Sequence, residues 1–84
     1  MRTRRNSFDI SVDILKIVAD GAKKSLIVYG ANLNFQIVKK YLNHLYNAGL
    51  LTPSSVNERV FKTIAKGREY LLHYETLNNY LKVK

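Results

Sequence analysis

The run from Asn34 to Gly49 constrains the fold more than any other part of the chain, because it is two-sided at the helical period and marked at both ends. Asn34 is a side-chain N-cap type and Gly49 a C-terminal stop, so the spacing predicts a helix from Phe35 to about Asn47. At about 100° per residue, Phe35, Val38, Tyr41, Leu42 and Leu45 fall within about 120°, a core face. Gln36, Lys39, Lys40, Asn43 and Asn47 gather within about 100° on the opposite side. Amides pair with adenine edges and lysines with guanine or phosphate, so this second face has the groups a major groove requires. A plain solvated surface would also show Lys, Asn and Gln, and the pattern alone leaves that alternative open.

The flanking segments extend this helix into an architecture. Ser7 caps a first helix whose second position is Asp9, and Gly21 stops it after Asp20. Asp9, Asp13, Lys16 and Asp20 share one narrow face, and the apolar residues cover so much of the rest that the helix needs covering from two sides. Lys23–Gly30 has the Ile, Val and Tyr content of a strand. A short helix is the better reading, because the turn Ala31-Asn32-Leu33 leads straight into the cap at Asn34, and two helices so joined make a helix-turn-helix. After Gly49, Leu50-Leu51-Thr52 and Arg59-Val60-Phe61-Lys62-Thr63 read as a hairpin, the wing of a winged helix, with Arg59 and Lys62 as its cations. Glu58 in its turn argues against deep groove reading by the wing.

A last helix is expected from about Ala65 almost to the end. Tyr70, Tyr74, Leu77 and Leu81 step by four, three and four residues, a seam of about two heptads that calls for a second helix, most simply that of a homodimer. The competing reading packs Tyr70, Leu71 and Tyr74 back onto the first helix. Leu72 points away from the seam in either case. The expected fold is therefore mainly α with a small β-hairpin: a basic arm over residues 1–6, a winged helix-turn-helix over 7–64, and a dimerisation helix over 65–84.

Composition narrows the function. Eighty-four residues suit one small domain whose core is marginal alone, and with zero Cys neither disulfides nor zinc thiolates reinforce it. No apolar run approaches membrane-spanning length, and Asp9 and Asp13 interrupt what would otherwise follow the basic start of a signal peptide, so a cytoplasmic, nucleoid-associated location is expected. Fourteen Lys and Arg against six Asp and Glu give a net charge of +8, a strong field favouring a polyanionic partner. From Gly21 to Asn57 there is no carboxylate at all, while Lys23, Lys24, Lys39 and Lys40 all lie there. His44 and His73 are the only histidines, without metal spacing or a Gly-rich phosphate loop. No enzyme, cofactor, metal or small-molecule substrate is expected.

Arg5-Asn6-Ser7-Phe8-Asp9-Ile10, Asp13-Ile14-Leu15, Gly21-Ala22-Lys23-Lys24-Ser25, Tyr29-Gly30-Ala31-Asn32-Leu33, Tyr41-Leu42, Gly49-Leu50-Leu51 and Lys66-Gly67-Arg68-Glu69-Tyr70-Leu71 together resemble the archaeal winged-helix proteins. That family includes a small, abundant chromatin-type DNA-binding protein of hyperthermophilic archaea and presumed transcription regulators of archaea and their viruses. The resemblance implies a winged helix-turn-helix whose terminal helix forms an antiparallel coiled coil between two subunits. Where such proteins often show Thr-Glu-Lys-Gly, this chain has Ile64-Ala65-Lys66-Gly67, which leaves Thr63 to cap the last helix early or leaves it uncapped. Asn34 stands for the common Ser at the third helix, a harmless exchange.

The functional expectation is a dimeric protein that binds double-stranded DNA, as a transcription regulator or, alternatively, as an architectural protein. Gln36, Lys39, Lys40 and Asn43 would enter the major groove from a helix begun by Asn34. Lys23, Lys24 and Ser25 would hold phosphate at the second helix start, Arg59 and Lys62 would add wing charge, and Arg2, Arg4 and Arg5 would reach a neighbouring backbone or minor groove. Tyr70, Tyr74, Leu77 and Leu81 would form the dimer interface. A protein-interaction module is the rival from another class; it requires a large apolar patch on the third helix, which the sequence does not display. RNA binding is a weaker third reading, since no RNA-recognition signature is present.

Overall fold

In a computed structural model, which describes residues 7–57 and 59–81, the chain forms α1 (Ser7–Ile17), β1 (Ala22–Lys23), α2 (Lys24–Ala31), α3 (Phe35–Asn47), β2 (Leu51–Pro53), β3 (Val60–Thr63) and α4 (Ala65–Leu81). Arg2, Arg4, Arg5, Glu58 and the side chain of Leu81 lie outside the described residues.

α1 is shorter than its sequence pattern implies. The helix ends at Ile17 and not at Asp20, because the carbonyl of Val18 accepts from two amides beyond the helix, Gly21 N at 3.0 Å and Thr63 N at 3.1 Å. Gly21 still makes the turn, at φ +103°, where a side chain would be strained. The Leu15 carbonyl, one of the four that every helix end leaves without an internal partner, accepts instead from the Thr63 hydroxyl at 2.8 Å. Thr63 therefore does not cap α4. Its side chain is buried and fastens the sheet to α1, while Ile64, whose carbonyl accepts from Arg68 N, occupies the cap position of α4 without a side-chain acceptor.

The segment after Gly21 is both strand and helix. Ala22 and Lys23 pair antiparallel with Phe61 and Val60, which turns the expected hairpin into a three-stranded sheet of order β1-β3-β2. From Lys24 the chain is helical despite its β-prone composition, and it buries Ile27 and Ala31, four residues apart on one face. Asn32 takes the left-handed conformation, φ 56°, and ends α2; Asn tolerates that region better than most residues.

At α3 the local signals agree with the outcome. The Asn34 side chain accepts from Ile37 N at 2.8 Å, and the far end closes with Leu50 N donating to Leu45 O and Gly49 N to Tyr46 O, with Gly49 at φ +79°. This paired arrangement satisfies carbonyls that a helix end otherwise leaves open. Val38, Leu42 and Leu45 are buried with Ile14, Leu15, Val18, Ile27, Ala31, Leu50 and Leu51 in one core. Phe35 is a correction to the expected core face: it is 56% exposed. It stands in the first turn, where side chains lean towards the helix N-terminus and so past the end of the core.

Within the chain, α4 packs on α1. Phe8 meets the rings of Tyr70 and Tyr74 at centroid separations of 5.6 and 5.2 Å, both tilted. The Tyr74 hydroxyl lies 3.4 Å from Asp9 Oδ1, and Lys16 Nζ stands 5.9 Å from the same ring. Burial in this contact pushes the Tyr70 phenol above its ordinary value. The first half of the proposed seam is thus occupied by α1, whereas Leu77, Leu72 and Tyr80 are exposed.

One prediction arises from the staple. Thr63→Val preserves shape but strands the buried Leu15 carbonyl, so urea unfolding is expected to show a loss of about 1–3 kcal/mol. Thr63→Ser keeps the donor and should avoid most of that loss. Equal stability of the Val variant and the parent chain would contradict the assigned role.

Candidate nucleic-acid interface

The donor face of α3 is open. Gln36, Lys39, Lys40, Asn43 and Asn47 are all exposed, while the opposite side of the same helix supplies the core. This division follows from the helical period: each residue that the core takes leaves its counterpart across the helix to solvent.

Between α3 and the hairpin runs an open groove of about 650 Å³. Gln36, Lys39, Lys40 and Asn43 line it from α3, and Lys24 closes it from the start of α2. Leu42, Tyr46, Pro53 and Phe61 supply its apolar surface. The groove thus joins three ammonium groups, two amides and two aromatic rings, and none of its lining residues is acidic. Each feature has a chemical use beside a duplex: ammonium groups for phosphates, amides for base edges, and apolar surface for sugars or thymine methyls.

The structure gathers only some of the residues singled out from sequence. Lys23 and Ser25 are exposed at the start of α2 but do not line the groove, and Arg59 and Lys62 are exposed on the hairpin outside it. Lys23 holds the cap position of α2 without a side-chain hydrogen bond, and the first turn contains no acid, which keeps this helix end open to an anion. Asn34 is exposed, but its oxygen is committed to the cap, leaving its NH₂ as the available donor.

Tyr46, Pro53 and Phe61 were not legible as site residues. Tyr46 has a weak sequence signal, since it falls on the helix between the core arc and Lys39. Pro53 and Phe61 meet the groove only because β2 and β3 pair with these two residues opposite each other. Phe35 and Tyr46, which border the donor face beside Lys39, are 56% and 52% exposed and make that edge more apolar than its composition implied. Among the described residues no group of three or more His, Cys, Asp and Glu converges, and no helix is long and apolar enough to cross a membrane.

The arrangement of a short turn between α2 and α3, an open α3 face, and a hairpin beside it corresponds to the winged helix-turn-helix family, which matches residues 4–82. The chain belongs to that family. Among solved structures, this winged helix is similar to the crystal structure of Sso10a-2, a DNA-binding protein from Sulfolobus solfataricus. The TM-score is 0.81 and the identity 26%, over 93% of this chain and 83% of that one. No curated protein sequence matches the chain. The similarity to archaeal winged-helix proteins drawn from the sequence is thereby shown. In winged-helix terms α3 occupies the recognition-helix position and β2–β3 form the wing, to which β1 adds a third strand.

Proposed function

We propose that this winged-helix protein binds double-stranded DNA by seating α3 in the major groove, and that it acts as a transcription regulator without catalytic chemistry of its own. The observation that carries the reading is the acid-free groove in which Lys24, Lys39 and Lys40 stand around Gln36 and Asn43. The ammonium groups supply affinity through phosphate neutralisation, and the two amides, beside the apolar surface of Tyr46 and Phe61, supply the means to distinguish base edges. DNA binding by the structural neighbour supports the same reading.

Around this centre, Lys23 and Ser25 take phosphate at the start of α2, while Arg59 and Lys62 meet the backbone beside the wing. Arg4 and Arg5 extend the positive charge in front of α1. The exposed stretch of α4 that carries Leu77 pairs with that of a second copy, because Tyr70 and Tyr74 on the same side are already covered by Phe8 whereas Leu77 is not. Dimerisation of this kind presents two α3 faces to one duplex.

Competition between random and selected duplexes, followed with the mass of the complex in solution, tests the reading. A regulator prefers its selected sequence by about a thousandfold or more. Equal affinities would assign an architectural role instead, and a mass of one chain per complex would remove the dimer. The exposed Phe35 and Tyr46 at the edge of the donor face favour a second reading, docking of a protein there. No retention of DNA even at low salt would favour that reading over the first.

A further inference from the structure

The α3 face is flanked on both sides. Opposite the wing groove, a smaller cleft of about 330 Å³ lies between α1 and α3 and is lined by Ser7, Ser11, Lys40, Tyr41 and His44. Each of these side chains carries a hydrogen-bond donor: three hydroxyls, an ammonium and an imidazole. Lys40 lines both clefts, so the exposed edge of α3 is a ridge between them.

The acids of α1 are turned away from this cleft. At about 100° per residue, Asp9 and Asp13 stand roughly 120° to 160° round the helix from Ser7 and Ser11. Asp9 lies beside the Tyr74 hydroxyl of α4 instead. What remains is a donor-rich, carboxylate-free recess formed by two helices, a lining suited to an oxyanion and unsuited to a metal cation.

We infer that the α1–α3 cleft is a second phosphate site, which takes a backbone phosphate of the strand across the major groove from the wing. The inference rests on the reading that α3 binds duplex DNA. A helix seated in a major groove, about 12 Å wide, lies between two sugar-phosphate strands. The wing groove meets one of them, the α1–α3 cleft meets the other, and Lys40 on the ridge serves both sides. Arg4 and Arg5 immediately precede this end of α1 in the sequence.

Ser11→Glu and His44→Glu each place a carboxylate in the cleft, and Thr76→Glu makes a matched charge change on the exposed side of α4. Affinity for a short duplex at fixed low salt, measured on variants whose thermal melting matches the parent, should fall about tenfold or more further for the two cleft variants than for Thr76→Glu. His44 is exposed, so its variant keeps the comparison decisive even where Ser11→Glu does not fold. Equal losses in all three, with Lys39→Ala/Lys40→Ala still weakening binding, would overturn the cleft and leave the α3 reading intact. No weakening by any of them, the lysine pair included, would overturn both.

Discussion

Gly67→Ala is expected to cost about 3 kcal/mol, although alanine is ordinarily the better helix residue by about 1 kcal/mol. Gly67 is buried in the first turn of α4, and a Cβ there would come within 2.1 Å of the Leu50 carbonyl oxygen and 2.6 Å of Thr63 Cγ2. The carbonyl has little freedom to retreat, since it accepts from Ile64 N at 3.1 Å and Leu50 belongs to the core. Relief therefore requires α4 to lift from the sheet, which also disturbs the buried Thr63. For a domain of this size the melting temperature should fall by roughly 12 to 24 °C. Gly30→Ala provides the contrast. Its Cβ would meet only the Ile17 side chain, at 2.8 Å from the flexible Cδ1 end, so it should remain within about 1 kcal/mol of the parent. Thermal or urea unfolding of the two variants checks the pair, and an unchanged or raised melting temperature for Gly67→Ala would contradict the close packing of α4 on Leu50.

Gly67 also marks where the sequence was legible and where it was not. The resemblance singled out Lys66-Gly67-Arg68 as a motif, but the reason for the glycine is a contact with Leu50, distant in the chain and without any local pattern. α3 was readable because its cap, its period and its stop all give the same answer. Phe35 was misplaced by the same period, which knows the angle round the helix but not where the core ends along it. The α2 segment reads as a strand by propensity and as a helix by context, and the burial of Ile27 and Ala31 shows why context prevails. β1 escaped because two residues carry no alternation; only their pairing with Phe61 and Val60 makes them a strand. The end of α1 escaped for a related reason, since the carbonyls that stop it are engaged by Thr63, 45 residues beyond Val18. At the site, helical spacing revealed Gln36, Lys39, Lys40 and Asn43, whereas Pro53 and Phe61 joined them through strand register, and Ser7 and Ser11 through the packing of α1 beside α3.

The second large effect concerns Lys39 and Lys40. Both are exposed, both line the groove, and Lys40 also lines the cleft beside α1. If each neutralises a phosphate, each releases condensed counterions on binding, and the dependence of log affinity on log salt carries about 0.9 per contact. Lys39→Ala/Lys40→Ala should therefore flatten that dependence by about 1.8 and weaken binding at moderate salt by tenfold or more, roughly. Lys66→Ala/Arg68→Ala removes the same charge from α4, outside the groove, and separates contact from a general loss of positive field. Such a field acts at long range and is screened within about 10 Å at 0.1 M salt, so the α4 pair should lower affinity slightly and leave the slope nearly unchanged. The measurement that bears most directly on a DNA-binding α3 face is a salt series of duplex affinities for the parent and these two double variants. A slope reduced by about 1.8 in Lys39→Ala/Lys40→Ala alone is the predicted result; an unchanged slope in that variant, or an equal reduction in both, would contradict it.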